Sequence, residues 1–222
     1  MERSGSRSAD VFQTSCTRRS SDDVDPPRPT RLIACKVFRR AIEHLAIGER
    51  LPQVTVDYVD SNLHLRPVQL RMELMRRLTE AQAAEGHLVC LFGNCAPDID
   101  ELCRSRCALR PDYTHCYELF LGRRRFAELI DETAGTFFLE QDLIRNFEAC
   151  CVKPLELHDP WLRKAYFKHY KRLLYIRQPN DSDLERELAA LTELLELPLE
   201  VCDAEYSELE EQLLTLLEAG RR

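Results

Sequence analysis

Ten cysteines stand among 222 residues, and three of them fall where apolar runs give way to helical patterns. Cys35 ends the run "LIAC", Cys95 follows "VCLFGN", and Cys116 opens "CYELFLG" just after "DYTH". A thiol at such a place can be core filler, half of a disulfide, a metal ligand or a nucleophile. Taken singly, burial as a small hydrophobe is the commonest fate of a free cysteine. Taken together, three thiols at one spot pose a different problem. Helix N-termini favour the thiolate, and thiolates packed together repel one another unless a cation lies between them. Zinc or an iron–sulfur cluster suits that role, and three sulfurs leave a position open for a substrate or cofactor. His115, beside Cys116, is a further candidate ligand or base, weighed against a plain hydrogen-bonded side chain.

The remaining cysteines read more blandly. Cys90 and Cys202 lie in apolar runs and are assigned to core. Cys103 and Cys107 are four apart, which can put both on one helix face. Cys150 and Cys151 are neighbours, and separate burial is favoured over a strained bond between them. Cys16 lies in a polar leader and is incidental. There is no double CxxC motif of the zinc-ribbon kind. Asp98 and Asp100, after Cys95, suit helix capping better than acid–base work.

The elements that must position these thiols follow from hydrophobic period. "RLIACKVF", "PQVTVDYVDS", "HLVCLFG", "TFFLEQD", "RLLYIRQ" and "PLEVCDA" read as strands, and "CALRPDYTH" holds a short one. Between them lie helical patterns. "FRRAIEHLAIG" is read as stopped by Gly48. Leu70, Leu74 and Leu78 repeat at helical spacing. "CYELFLGRRRFAELIDETAG" reads as one helix, and Ser182 serves as cap of "SDLERELAALTELLEL". Strand–helix alternation predicts an α/β domain over residues 31–222, a mostly parallel open sheet with helices on both faces in a Rossmann-like three-layer arrangement. In such a sheet, ligands bind beyond the carboxyl ends of the strands, and a parallel sheet brings Cys35, Cys95 and Cys116 to that one edge. Residues 1–30, rich in Ser, Arg, Asp and Pro, are expected to form a disordered tail.

Bulk properties narrow the function classes. A net charge of -7 argues against nucleic acid and anionic membrane as partners. No apolar run approaches the roughly 20 residues that span a bilayer, and no signal-peptide core is visible, so a cytoplasmic protein with reduced thiols is expected. "GRRRF" and "FKHYKRLLY" suit solvated or packing helix faces better than phosphate or nucleic-acid sites. G-x-G-x-x-G, P-loop and G-x-S-x-G motifs are absent.

The series "IACKVF", "VCLFGNC", "HCYELFLGRRRF", "GTFFLEQ" and "YKRLLYI" resembles the bacterial and archaeal family called domain of unknown function 1638, over roughly residues 31–217. The family pattern places an Ala-Cys after the first strand, a Gly-x-Cys turn after a later one, and a His-Asp-Cys before a "LLLG" helix. Carried over, these fall on Cys35, Cys95 and Cys116. Thr114 and His115 stand where the family has His and Asp, so a ligand or proton relay there would differ in this member. Some members are encoded beside corrinoid-dependent methyltransferases. The resemblance therefore implies a corrinoid protein or methyltransferase as partner and one-carbon chemistry as context. The competing expectation is a non-catalytic interaction or regulatory protein, with thiols in the core and acidic C-terminal helices facing a partner.

Overall fold

The computed structural model describes residues 29–84 and 86–219. The leader containing Cys16 lies outside the described residues, and Thr30, read as the tail's last residue, already belongs to the first strand. The chain runs β1 (Thr30–Cys35), α1 (Arg39–His44), α2 (Ile47–Arg50), β2 (Val54–Val59), α3 (Pro67–Gln82), β3 (His87–Leu91) and α4 (Ile99–Ser105). It continues with β4 (Ala108–Leu109), α5 (Cys116–Leu121), α6 (Arg123–Glu132), β5 (Thr136–Leu139) and α7 (Gln141–Arg145). The last elements are α8 (Pro160–Phe167), β6 (Arg172–Arg177), α9 (Glu185–Leu195), β7 (Leu199–Asp203) and α10 (Ser207–Glu218).

The architecture is α/β with parallel pairing, as the alternation predicts. The strands divide into two sheets, in the orders β2-β1-β3-β4 and β5-β6-β7, and every neighbouring pair is parallel. Central strands of such sheets are covered on both faces and read as continuous apolar runs. Leu88 to Leu91 in β3 and Leu173 to Ile176 in β6 are accordingly all buried. Because successive strand residues point to opposite faces, β6 serves two cores. Leu174 and Ile176 join the core around β1 and β3, whereas Leu173 and Tyr175 join a second core with α9. Helix α3 buries Leu70, Leu74, Leu78 and Ala81, the face predicted from its period. Helix α10 inserts Leu209, Leu213 and Leu217 into the first core.

Three local readings are corrected. The first helix ends at His44, where Ala46 turns into the left-handed region (φ 51), and Gly48 lies inside α2 instead of stopping a helix. The segment read as one helix is split by Gly122, whose backbone (φ 75, ψ 150) is open only to glycine at little cost. Ser182 does not cap α9. Its amide and hydroxyl both donate to Gln141 Oε1, at 2.7 and 2.9 Å, tying the end of β6 to α7.

Candidate functional site

Parallel register sets the place. Cys35 is level with Val59, and Ala34 with Leu91, so β1, β2 and β3 end together. What leaves each strand end must therefore carry the chemistry. The loop after β3 runs Phe92-Gly93-Asn94-Cys95, and the segment before α5 runs against it. The Asn94 amide donates to the Thr114 carbonyl at 2.8 Å. Gly93 is required for this approach: a Cβ built on it would stand 2.7 Å from the Thr114 carbonyl oxygen and 3.2 Å from the Cys116 nitrogen. Glu118, buried on the first turn of α5, accepts from the amide and hydroxyl of Thr114, both at 2.9 Å. Thr114 thus works as a backbone clasp.

Arg110 supports the same loop from behind. Its guanidinium donates to the Phe92 carbonyl at 2.8 Å, to Asn94 Oδ1 at 2.8 Å and to Asp100 at 2.6 Å. Asp100 is therefore an ion-pair partner. Asp98 does not cap α4 with its side chain and sits in the left-handed region (φ 53), so the capping expectation fails for both acids.

These restraints bring Cys35, Cys95 and Cys116 into one row. The Cys35 thiol neighbours Cys116, Cys116 neighbours Cys95, and Cys95 neighbours the imidazole of His64, each close enough to shift its neighbour's ionisation. The row runs from buried Cys35, through half-buried Cys116 and Cys95, to exposed His64. His64 lies in the short helical turn Ser61–Leu65 just past β2. The strand-end rule that singles out the cysteines also points to this turn, but sequence reading passed over it. His115 takes another place: it precedes α5, and its ring packs on Phe126 with centroids 5.7 Å apart. It also lies near enough to His64 to disfavour protonation there.

The electrostatics follow from crowding. The neighbouring Cys95 thiol raises the His64 pKa, with desolvation opposing. The Cys95 thiol is pushed far up by Cys116, with burial adding to it and His64 opposing. Cys116 is pushed up to about 12, first by Cys35, while Cys95 and the Gly93 amide oppose. Cys95 and Cys116 accordingly keep their protons near neutral pH. None of the nine described cysteines forms a disulfide. Among the described residues, no three His, Cys, Asp or Glu side chains gather around one point closely enough to hold a metal ion. The donor set nonetheless suits a soft or borderline cation in kind: three sulfurs and one imidazole nitrogen, contiguous and open to solvent at one end.

The ends of the second sheet face this row. Tyr117 is near Cys35 and Cys116 of the row and also near Glu140 and Cys151. Cys150 donates to Asn62 Oδ1 at 2.7 Å, so the adjacent Cys150 and Cys151 are buried separately, as expected. Arg40, after β1, pairs with Asp142 at 3.1 Å and Asp181 at 3.7 Å. Glu140, at the end of β5, accepts from the amides of Asp142 and Leu143 at 2.8 and 2.7 Å. Burial nevertheless pushes its carboxyl from 4.5 up to about 7. Between those pH values the folded protein holds a proton that the unfolded chain has released. This group's stabilising contribution is complete below its unfolded value and is lost as pH rises through about 7. Glu140→Gln keeps an acceptor for one of the two amides and cannot ionise. It is expected to be more stable than the parent above neutral pH, by up to about 3 kcal/mol, and to shrink the stability loss between acid and mildly alkaline pH. Urea unfolding at both ends of that range checks this. An unchanged slope with pH would contradict it.

The other motifs are absorbed by the fold. Arg124 and Arg125 pair with Glu128, and Arg123 stacks over Tyr113 at 4.9 Å, so "GRRRF" lies on a solvated helix face. Helix α10 spends two of its acids on internal contacts: Glu210 pairs with Arg50 at 2.6 Å, and Glu208 accepts from Tyr113 and from the Arg123 amide. Among the described residues, no helix is long and apolar enough to cross a membrane.

Comparison with known proteins adds one finding. Residues 58–213 match the family described as "Protein of unknown function (DUF1638)". No curated protein and no solved structure matches. His64, Cys95 and Cys116 fall within the matched stretch, whereas Cys35 precedes it.

Proposed function

The chain belongs to the DUF1638 family, and we propose that this member is a metal- or metal-cofactor-binding protein whose ligands are Cys35, Cys95 and Cys116, with His64 completing the set. The observation that carries the reading is the unbroken row of three thiols and one imidazole at the carboxyl ends of three parallel strands. His64 takes the place that sequence alone offered to His115, because it lies beside Cys95 while His115 packs on Phe126. Drawing the row around one ion requires side-chain rotations of these residues.

Zinc is the first choice, an iron–sulfur cluster the second. A zinc ion held by thiolates can bind a substrate thiol and stabilise it as the thiolate, which suits methyl acceptance from a corrinoid partner. That narrower form rests on the family resemblance alone. The chain's own contributions are clearer. Gly93, Thr114 and Glu118 hold the Cys95 and Cys116 segments together, and His64 guards the open end. The interaction-protein alternative gains no support from α10, whose apolar face and two acids are already engaged.

Anaerobic purification, elemental analysis and a visible spectrum test the proposal. One equivalent of zinc, or iron with sulfide and a charge-transfer band, is expected. Because thiols must lose protons to become ligands, zinc uptake by the metal-free protein should release protons and weaken as pH falls. A folded protein that takes up neither metal would refute the reading.

A further inference from the structure

Helix α9 and strands β6 and β7 line a trough of about 910 Å³ that includes no residue of the thiol row. Two periods build it. Glu185, Leu188, Ala189, Thr192 and Glu193 recur at helical spacing, so one stripe of α9 faces the trough. Tyr175 and Arg177 of β6, with Leu199 and Val201 of β7, alternate along their strands and face it from the sheet. The volume falls in the roughly 300–1,000 Å³ range of small-molecule sites. The trough is open to solvent along the edge strand β7, where Val201 is 49% exposed, and Glu185 and Glu193 are exposed on the helix side.

The charges of the trough are one-sided. Asp181, Asp183, Glu185 and Glu193 line it, and the cation among the lining residues, Arg177, is already engaged by Asp203 at 2.6 and 2.9 Å. Among the described residues, Glu185 and Glu193 have no ion-pair partner. Glu193 stands in the last turn of α9, which carries no basic side chain, so its charge meets the negative end of the helix. Asp181 supplies an independent sign of a missing partner. Its side chain is 1% exposed, and its Oδ2 accepts from the Tyr175 hydroxyl at 2.6 Å and the Gln178 amide at 2.9 Å. Its Oδ1 has no hydrogen-bond partner, and Arg40 stands off at 3.7 Å. Buried acceptors in folded proteins are nearly always paired. The acids are also spread out. Glu185 and Glu193 are eight residues apart on α9, roughly 12 Å along its axis, with Leu188 and Ala189 between them and Val201 across from them.

We propose that this trough binds a linear aliphatic polyamine, with one terminal ammonium at Asp183 and Glu185, the other at Glu193, and the methylene chain along Leu188, Ala189 and Val201. The arrangement acid, apolar wall, acid selects this class. An inorganic divalent cation gains nothing from the apolar wall and cannot reach both ends. A simple alkylamine satisfies one end and leaves the other carboxylate as it was. An extended polycation satisfies both, and its hydrocarbon covers the apolar side chains between them. The span is that of a triamine such as spermidine; a short diamine such as putrescine reaches only one end. The site is independent of the metal proposed for the thiol row.

The test titrates spermidine into the full chain at physiological salt, by calorimetry. One saturable site is expected, with putrescine binding more weakly and an equal concentration of magnesium failing to displace spermidine. Glu185→Gln and Glu193→Gln should each weaken spermidine binding roughly fivefold, the upper worth of an exposed ion pair, and together roughly 25-fold, because the two ends are too far apart to couple. Val201→Lys sets a competing ammonium on the apolar wall and should abolish binding. Glu187→Gln removes an exposed acid of α9 that does not line the trough, and should change nothing. Circular dichroism confirms the fold of each variant, and the two glutamine variants decide the matter even if Val201→Lys does not fold. Absence of saturable binding would overturn the proposal. So would putrescine binding as tightly as spermidine, displacement by magnesium, or equal losses in Glu187→Gln and Glu193→Gln, each of which would reduce the effect to diffuse charge attraction.

Discussion

Cys95→Ser should lose most of the zinc affinity of the parent while remaining folded. A hydroxyl is a hard, neutral donor at a position that calls for a thiolate. Cys95 also stands in the middle of the row, between His64 and Cys116. Its loss should therefore exceed the roughly 10–100-fold that an outer-shell partner is worth. Cys90→Ala is the matched comparison. It removes a fully buried sulfur that is not in the row, so it should cost stability on the order of 1 kcal/mol and leave zinc affinity nearly intact. Metal content and thermal unfolding must be measured side by side, because partial unfolding lowers metal content by itself. Equal metal loss in two folded variants, or full retention in Cys95→Ser, would defeat the assignment.

Gly93→Ala should damage the site without touching a ligand. The added methyl would meet the Thr114 carbonyl at 2.7 Å and the Cys116 amide nitrogen at 3.2 Å. Both are backbone atoms, and neither can swing aside. The loop carrying Cys95 must then separate from the start of α5, at an overpacking cost of about 1–3 kcal/mol. Zinc affinity should fall together with stability. Gly48→Ala supplies a control of opposite sign. Nothing lies within 4 Å of a Cβ there, and the residue sits inside α2. Alanine should stabilise by roughly 0.5–1 kcal/mol and leave zinc uptake alone. Denaturant unfolding and zinc titration of the two variants read out both effects. A Gly93→Ala protein with parental stability and affinity would show that the approach of the two segments is not needed.

The parts of the fold that were legible in sequence are those written in a local period. The apolar run of β3 and the Leu70, Leu74, Leu78 repeat of α3 give their elements directly. The split into two sheets has no such mark. Helix α6 leads to β5 through a short turn like any other, and only tertiary pairing decides that β5 joins β6 instead of extending the first sheet. Capping signals misled where a side chain had a better partner, as Ser182 does in Gln141. At the site, Cys35, Cys95 and Cys116 were accessible because strand ends can be read and thiols are conspicuous. His64 was not singled out, since it lies in a brief turn with no period of its own. Thr114 and Glu118 could not be recognised as a clasp before the turn between them was known.

Strand β6 sends alternate side chains into two cores. Melting either core would strip one flank of β6 and leave its apolar residues facing water. The free energy of opening one half therefore includes part of the other, and the cores are expected to come apart together in a single transition. A ligand bound at the thiol row would then protect more than the sheet it touches. By mass action it would slow amide exchange in β5, β6 and β7, which contribute no ligand to it, as much as in β1 and β3.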